Sequence, residues 1–407
     1  MSSLAGYDLS SDAFFRDPYP TLRQLQRDEP VYFWEPMKSW MLTRYNEVNI
    51  LLRDSHFTSQ RVRPLLSSLV SAAGAEEVEK MIAQWSRMLF FQDPPRHTRI
   101  RSIVNPGFTA GSIEALRPGV AATARQVLAA HRGRGEIDLA VDFADLVSLG
   151  TISQLFSIPE ADRPQFRQWT ADMLKPAGIG VSADEVSRRV VKSSKELFGY
   201  MEALVKERRE KPGSDMVSRL IEGDAWDPEL AGEVSIQCIQ VLAAGYTTAA
   251  NQITNAVLCF LKHPTELKRL REEPGLLKSA VEEVLRYEPA ALTVNRLCME
   301  ATELGGRAIQ KGEFVFGSIA AANRDPAVFP DGDRFDIGRK PGRHIAFGSG
   351  PHYCLGSVLT RLELEESLRA LLELSDWEFG AQPYAYASFN LQDRGPKTLP
   401  MRFRASN

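Results

Sequence analysis

The chain has 407 residues, 43% of them hydrophobic and 25% charged, the balance of an ordinary globular protein rather than a disordered or fibrous one. Its 49 basic and 52 acidic residues leave a net charge of -3, which gives no reason to expect nucleic acid or an anionic membrane as partner. The opening MSSLAGYDLSSDAFF has no basic segment followed by an apolar one, so neither a secretory signal nor a membrane anchor is read there, and a cytoplasmic location is expected.

In chain order, strand-like runs come first, at residues 31–34 and 40–43, and Gly and Pro then punctuate a long series of helical patterns. After Asp227-Pro228 one apolar helix of about 33 residues, on the order of 50 Å, runs to the breaker His263-Pro264. It carries no charge from residue 234 to residue 261. Its length suits a membrane span, but Gln237, Gln240, Thr247, Thr248, Asn251, Gln252, Thr254 and Asn255 put too many polar groups into it for lipid. It is read instead as the central beam of a large core. Strand-like runs return at residues 313–316 and 398–403. Sheet from both ends of the chain predicts one intertwined unit over residues 1–407, mainly α with small β-sheets.

Four cysteines, Cys238, Cys259, Cys298 and Cys354, are scattered without CxxC pairing, which argues against a disulfide framework or a zinc ribbon. The six histidines form no HExxH pair or close cluster, so a His-based metal site is not expected. Three of the cysteines read as small buried hydrophobes. Cys354 differs by context: it lies in Phe347-Gly348-Ser349-Gly350-Pro351-His352-Tyr353-Cys354-Leu355-Gly356, just before an amphipathic helical pattern. Helix-terminal N–H groups favour a thiolate there, the form that binds metal or attacks carbon. Glycines at 348, 350 and 356 let the backbone pass close to something large and flat.

The pattern Phe347-x-x-Gly350-x-x-x-Cys354-x-Gly356 resembles the haem-binding signature of the cytochromes P450. That resemblance implies haem b (iron protoporphyrin IX) with Cys354 as its thiolate ligand, held between the long central helix and the cysteine loop, with Phe347, Ala244 and Gly356 beside it. Three further stretches match in family order. Glu283 and Arg286 share a helix face and form a surface ion pair on their own reading; in the family they are the structural ExxR pair, completed by an arginine of a later loop, here Arg334. His97 and Arg101, four apart, read alone as a solvated basic face, and the resemblance sets them with Arg296 and His344 on the haem propionates. Finally Ala244-Gly245-Tyr246-Thr247-Thr248 aligns with Ala-Gly-x-(Asp/Glu)-Thr, where the glycine opens the helix beside the iron and the threonine helps hold and protonate oxygen. Thr247 stands where the family has a carboxylate, which puts the ordinary proton relay in doubt.

The resemblance runs from Asp17-Pro18-Tyr19-Pro20 to Gly395-Pro396-Lys397-Thr398-Leu399-Pro400 and implies a soluble bacterial monooxygenase without a fused reductase. Implied partners are O2, a ferredoxin and its NAD(P)H-dependent ferredoxin reductase, on a monomer with no nucleic-acid or membrane partner. The implied substrate is a hydrophobic or aromatic small molecule of secondary metabolism, hydroxylated or otherwise oxidised. A peroxygenase, an oxidative-coupling enzyme and a non-catalytic haem ligand-binding protein are the alternatives. Candidate pocket walls are Trp85, Phe90, Met173, Gln240, Val241, Leu292, Val294 and Phe389, for each of which plain core packing is the alternative. Lys340, Arg343 and Arg361 are candidate contacts for an acidic ferredoxin.

Overall fold

The computed structural model describes residues 6–66, 75–173, 183–222, 232–340, 342–386 and 391–405. The aromatic run Val31–Trp34 (β1) and Ser39–Leu42 (β2) pair as an antiparallel hairpin, Val31 opposite Leu42, through a turn in which Lys38 adopts φ 45°. Phe57–Thr58 (β3), Thr293–Cys298 (β4) and Phe314–Ser318 (β5) complete a five-stranded sheet of order β1-β2-β5-β4-β3. Only β2 and β5 run parallel, Ser39 beside Phe314. β4 is a strand that the sequence reading did not predict; it named Val294 there as a pocket wall and Arg296 as a propionate partner. The C-terminal strand Pro400–Ala405 pairs with both Glu136–Asp138 and Leu374–Phe379, so chain end and chain middle share a second sheet.

Six helices bear on the site: Arg96–Val104 (α1), Asp145–Phe156 (α2), Arg163–Met173 (α3), Glu233–Lys262 (α4), Leu277–Tyr287 (α5) and Ser357–Leu372 (α6). α4 is the expected central beam. Its 30 residues, about 45 Å at helical rise, end at His263 because Pro264 cannot continue it. It packs against α2, α3, α5, α6 and the long helix Ala183–Glu210. An uncharged helix is stable here because nearly every side around it is covered; each buried Leu, Ile or Val contributes about 1.5–3 kcal/mol relative to exposure. Among the described residues one helical stretch, Leu139–Phe156, is long and apolar enough to cross a membrane, and 67% of it is buried inside the protein.

α5 buries Leu277, Ala280, Val281, Val284 and Leu285 as its 3.6-residue period predicts, but Glu283 and Arg286 are buried with them. α6 likewise takes Glu363, Glu365 and Glu366 inward. Both helices therefore carry charged groups into contacts that a simple amphipathic pattern places in solvent.

Candidate active site

α4 is buried throughout Val234–Ile239, Val241, Leu242 and residues 249–261, yet one turn is not: Ala244 is exposed, and Gln240, Ala243, Gly245, Thr247 and Thr248 are half-buried. Gln240, Ala244, Thr247 and Thr248 share one face at i, i+4, i+7 and i+8, so that face borders open space in mid-helix. Thr248 Oγ1 donates to Ala244 O at 2.5 Å, a back-bond one helical turn away. The helix nevertheless stays α-helical through this turn. At Gly245 a Cβ would lie 3.0 Å from Ile152 Cδ1, so its lack of a side chain admits α2. Tyr246 points to the same neighbour. Its hydroxyl hydrogen-bonds Asp145, which is ion-paired to Arg167 of α3, and Ser148 Oγ donates to Tyr246 O at 2.8 Å. Thr247 leaves this turn without its own carboxylate, and Asp145 of α2 meets α4 only at the hydroxyl of the buried Tyr246.

The cysteine loop is shaped by Gly348 and Gly350, both at φ 70°, a conformation that favours glycine. A Cβ on Gly350 would stand 3.0 Å from Leu52 O, whereas Gly348 and Gly356 have nothing within 4 Å of the position a Cβ would take. Cys354 N donates to Phe347 O at 2.9 Å, which folds the chain back on the loop ahead of α6 and leaves Cys354 half-buried. Burial pushes the Cys354 thiol up, opposed by the Gly356 N–H and by Arg101 and Arg361. A coordinating metal deprotonates such a thiol outright. Phe347 is half-buried beneath the Arg361 guanidinium, 4.6 Å from its ring centroid.

Three of the four residues expected on the propionates gather, and the fourth is replaced. His97 is 2% exposed, and neither ring nitrogen has a hydrogen-bond partner. Burial, followed by Arg101, holds its pKa below the ordinary value. Arg101 donates to Pro351 O and Tyr353 O, both at 2.7 Å, fastening α1 to the cysteine loop. Arg296 is buried on β4, and burial lowers its pKa to about 10. His344 does not join them: its Nε2 sits 3.0 Å from Glu282, a carboxylate that Arg361 also binds. The histidine in the cluster is His352, whose ring centroid is 4.2 Å from that of His97 and whose Nε2 is 3.0 Å from Ser59 Oγ. Burial and the neighbouring Arg296 push His352 down to about 2. Its place two residues before Cys354, in the same motif, was the sequence signal for it.

The ExxR pair is a bidentate ion pair, Arg286 Nε and Nη2 each 2.8 Å from Glu283, with both side chains 3% exposed. Arg286 Nη1 also donates to Asn323 O and Gly332 O at 2.8 Å, tying α5 to the following loops. The third member is not Arg334, whose side chain is 68% exposed and only 3.9 Å from Asp336. It is Arg339, whose Nε donates to Glu283 at 3.2 Å. The loop turns the Arg334 carbonyl inward, where Arg286 and Arg339 both donate to it, and this aims the Arg334 side chain outward.

Of the candidate pocket walls, Phe90 is 47% exposed, and its N–H donates to Gln240 on the open face of α4 at 2.8 Å. Val294 is half-buried, while Val241 and Met173 are packed in the main core. Trp85 is half-buried and anchored by Nε1 to Ser194 Oγ at 3.1 Å. Leu292 belongs to a separate cluster with Phe15, Tyr19 and Leu391, so core packing explains it. Phe389 lies outside the described residues.

This arrangement suits a flat, anionic, iron-bearing group. A soft sulfur ligand is present, glycines leave the space of a missing Cβ open beside it, and an orphaned His97 stands with buried arginines that require carboxylates. A family model described as Cytochrome P450 matches residues 70–384. The biotin biosynthesis cytochrome P450 of Bacillus subtilis (strain 168) is 33% identical over 383 residues, covering 92% of this chain and 94% of that protein. The cytochrome P450 monooxygenase PikC of Streptomyces venezuelae is 34% identical over 407 residues, covering 96% and 92%. Among solved structures, P450BioI in complex with hexadec-9Z-enoic acid ligated acyl carrier protein superposes with a TM-score of 0.88 at 31% identity, covering 96% of this chain and 100% of that one.

Proposed function

The chain belongs to the cytochrome P450 family, oxidoreductases that carry haem b on a cysteine thiolate, and from that premise we propose that Cys354 is the ligand and that the open turn of α4 is the oxygen and substrate face of a monooxygenase. The observation that carries this reading is the open face Gln240, Ala244, Thr247 and Thr248 on a helix otherwise covered on all sides. Haem with a thiolate ligand supplies the oxidising chemistry, because the thiolate pushes electron density that favours O–O cleavage.

The chain's own residues bind, orient and manage protons. His97, Arg101, Arg296 and His352 hold the propionates through charge-assisted or neutral hydrogen bonds. The Glu283, Arg286 and Arg339 network holds the loops behind the cysteine and does no chemistry. Thr248 donates its hydroxyl proton to Ala244 O, which leaves the oxygen lone pairs directed at the open face to accept a proton-bearing partner. Thr247 offers a hydroxyl where relatives of the family carry a carboxylate, so protons pass between hydroxyls and water at this turn.

Phe90, Val294 and the wall of α4 favour a hydrophobic or aromatic substrate oriented by few polar groups, Gln240 among them. Relatives named for polyketide biosynthesis and for epothilone C/D epoxidation fit a role in secondary metabolism. Electrons come from a ferredoxin and its reductase. Exposed Lys340 and Arg343 are the cationic contacts for the ferredoxin, whereas Arg361 is committed to Glu282. We place the enzyme in the cytoplasm, as a monomeric single haem domain. Thr247 supports peroxygenase activity as a second reading, because peroxide brings its own protons; turnover with peroxide far above turnover with O2 and electrons would establish it.

The test is the absorbance of the reduced protein under carbon monoxide. The red-shifted Soret band of a thiolate-ligated haem is expected in the wild type and not in Cys354→Ala. Its persistence in that variant would overturn the assignment.

A further inference from the structure

Five arginines are buried among the described residues: Arg61, Arg286, Arg296, Arg324 and Arg394. Three have carboxylate partners, Arg286 with Glu283 at 2.8 Å, Arg394 with Glu288 at 2.6 Å and Arg324 with Glu288 at 3.6 Å. Arg296 has none, as befits a propionate partner. Arg61 has none either, and at 1% exposure it is the most buried of the five.

Arg61 lies between β3 and the short helix Val62–Leu66, and every contact it makes aims it. Its Nε hydrogen-bonds Asn295 Oδ1 on β4, and its Nη1 donates to Ser59 O at 2.8 Å. Its guanidinium carbon sits 4.7 Å from the Phe90 ring centroid and 5.2 Å from that of Phe91. Both hydrogen-bond acceptors are neutral, and the remaining N–H groups meet no acceptor among the described residues. Ser59 joins Arg61 to the cluster already described: its N–H donates to Asp93 Oδ1 at 2.9 Å and its Oγ meets His352 at 3.0 Å. Asp93, the carboxylate in this neighbourhood, is engaged by Ser59 and Thr58.

A buried cation without a counter-ion is strongly disfavoured, so the functional state must supply one. The local charges point the same way. Arg61, Arg101 and Arg296 are three cations, and Asp93 is the one carboxylate beside them among the described residues. The deficit is two negative charges beside an orphaned imidazole that also needs a partner.

Resting on the P450 reading, we propose that Arg61 is a carboxylate-binding residue at the join of the propionate cluster and the substrate pocket, anchoring either a haem propionate or the carboxylate of an acidic substrate. Asn295 is its positioning residue. The two sources share one chemistry and separate by experiment.

The holoprotein is compared as wild type, Arg61→Gln and Arg61→Lys in two arms: haem loss to excess apomyoglobin, and the spin-state shift on adding hexadec-9Z-enoic acid or its methyl ester. If the anion is a propionate, Arg61→Gln speeds haem loss by about tenfold, the worth of a charged hydrogen bond, and Arg61→Lys stays close to wild type. If it is a substrate carboxylate, Arg61→Gln weakens binding of the acid by about tenfold and leaves the ester unchanged, again with recovery in Arg61→Lys. Should the Gln variant not fold, Asn295→Ala releases the guanidinium from its anchor and gives the same change in the same arm at smaller size. No change in either arm overturns the proposal, as do equal effects of Gln and Lys. Absence of the red-shifted carbon monoxide band from the wild type would instead remove the P450 premise.

Discussion

Arg339 Nε lies 3.2 Å from Glu283 Oε1, while Arg334, five residues earlier, turns its side chain to solvent. Glu283 thus has two arginines on one carboxylate, and losing either side of the network has a different consequence. Glu283→Ala leaves Arg286 buried without a counter-charge and is expected to destabilise by about 3–5 kcal/mol. Arg339→Ala removes one charged hydrogen bond, about 1.5–3 kcal/mol. Arg334→Ala is expected to stay within about 0.5 kcal/mol of wild type. Urea unfolding of the three variants reads the order directly, and an Arg334 variant as damaging as the Arg339 one would contradict it.

Glu363 sits inside α6 at 2% exposure with Oε1 lacking a partner. Burial raises its pKa from the ordinary 4.5 to about 8, against the opposing pull of the Thr151 and Ser148 hydroxyls. Between those two values the folded chain holds a proton that the unfolded chain has lost. Stability therefore falls as pH rises from 4.5 to about 8 and levels off above, with a slope of at most about 1.4 kcal/mol per pH unit. Glu363→Gln mimics the protonated acid and is expected to flatten this decline, making the variant the more stable protein at pH 8 and above. Denaturant midpoints measured across the range check it; parallel curves for the two proteins would rule it out.

Gly245 is small because of Ile152. Gly245→Ala gains helix propensity of about 0.8–1 kcal/mol but drives its new methyl to 3.0 Å from Ile152 Cδ1, so the single variant is expected to be near neutral. Ile152→Val removes the offending atom at a loss of about 0.5–1.5 kcal/mol by itself. Combined, the two substitutions are expected to be more stable than their separate effects sum to, by about 0.5 kcal/mol or more in a double-mutant cycle. Strict additivity would show that the glycine is needed for something other than admitting α2.

His352 stands beside His97 where His344 was expected, and haem retention distinguishes the two histidines. His352→Ala opens the cluster beside His97 and is expected to speed haem loss several-fold, by about the factor of one hydrogen bond. His344→Ala leaves that cluster intact and should release haem at the wild-type rate. Its effect falls on Glu282, whose carboxyl, despite burial, is held down to about 2 by hydrogen bonds from His344 and Arg361. That contribution is present above pH 4.5 and fades as pH falls toward 2, so the His344 variant loses stability mainly above pH 4.5. Faster haem loss from His344→Ala would return it to the propionate set.

Much of the site was legible because its signals are local. Cys354 with its glycines, the i, i+3 spacing of Glu283 and Arg286, and the i, i+4 spacing of His97 and Arg101 are properties of short segments, and these carried the resemblance; spacing alone read a surface ion pair and a solvated face, where the structure buries Glu283, Arg286 and His97. The strand β4 was missed because Asn295 and Arg296 interrupt its apolar run, and both are buried by the tertiary fold. Arg339 was passed over for Arg334 because either lies in the right loop; which side chain turns inward depends on where the loop carbonyls must point to satisfy Arg286.

By itself the sequence determined the central helix and the cysteine loop, since residue type and spacing along one segment settle these, and its motifs carried the resemblance that implied the family and its iron thiolate. Tertiary structure alone decided that Gly245 makes room for Ile152, that His352 rather than His344 stands beside His97, and that Arg61, 234 positions from Asn295, is buried with no counter-charge among the described residues. Those are contacts between segments far apart in the chain. Burial and charge there act through whatever the fold brings near, which no local spacing records.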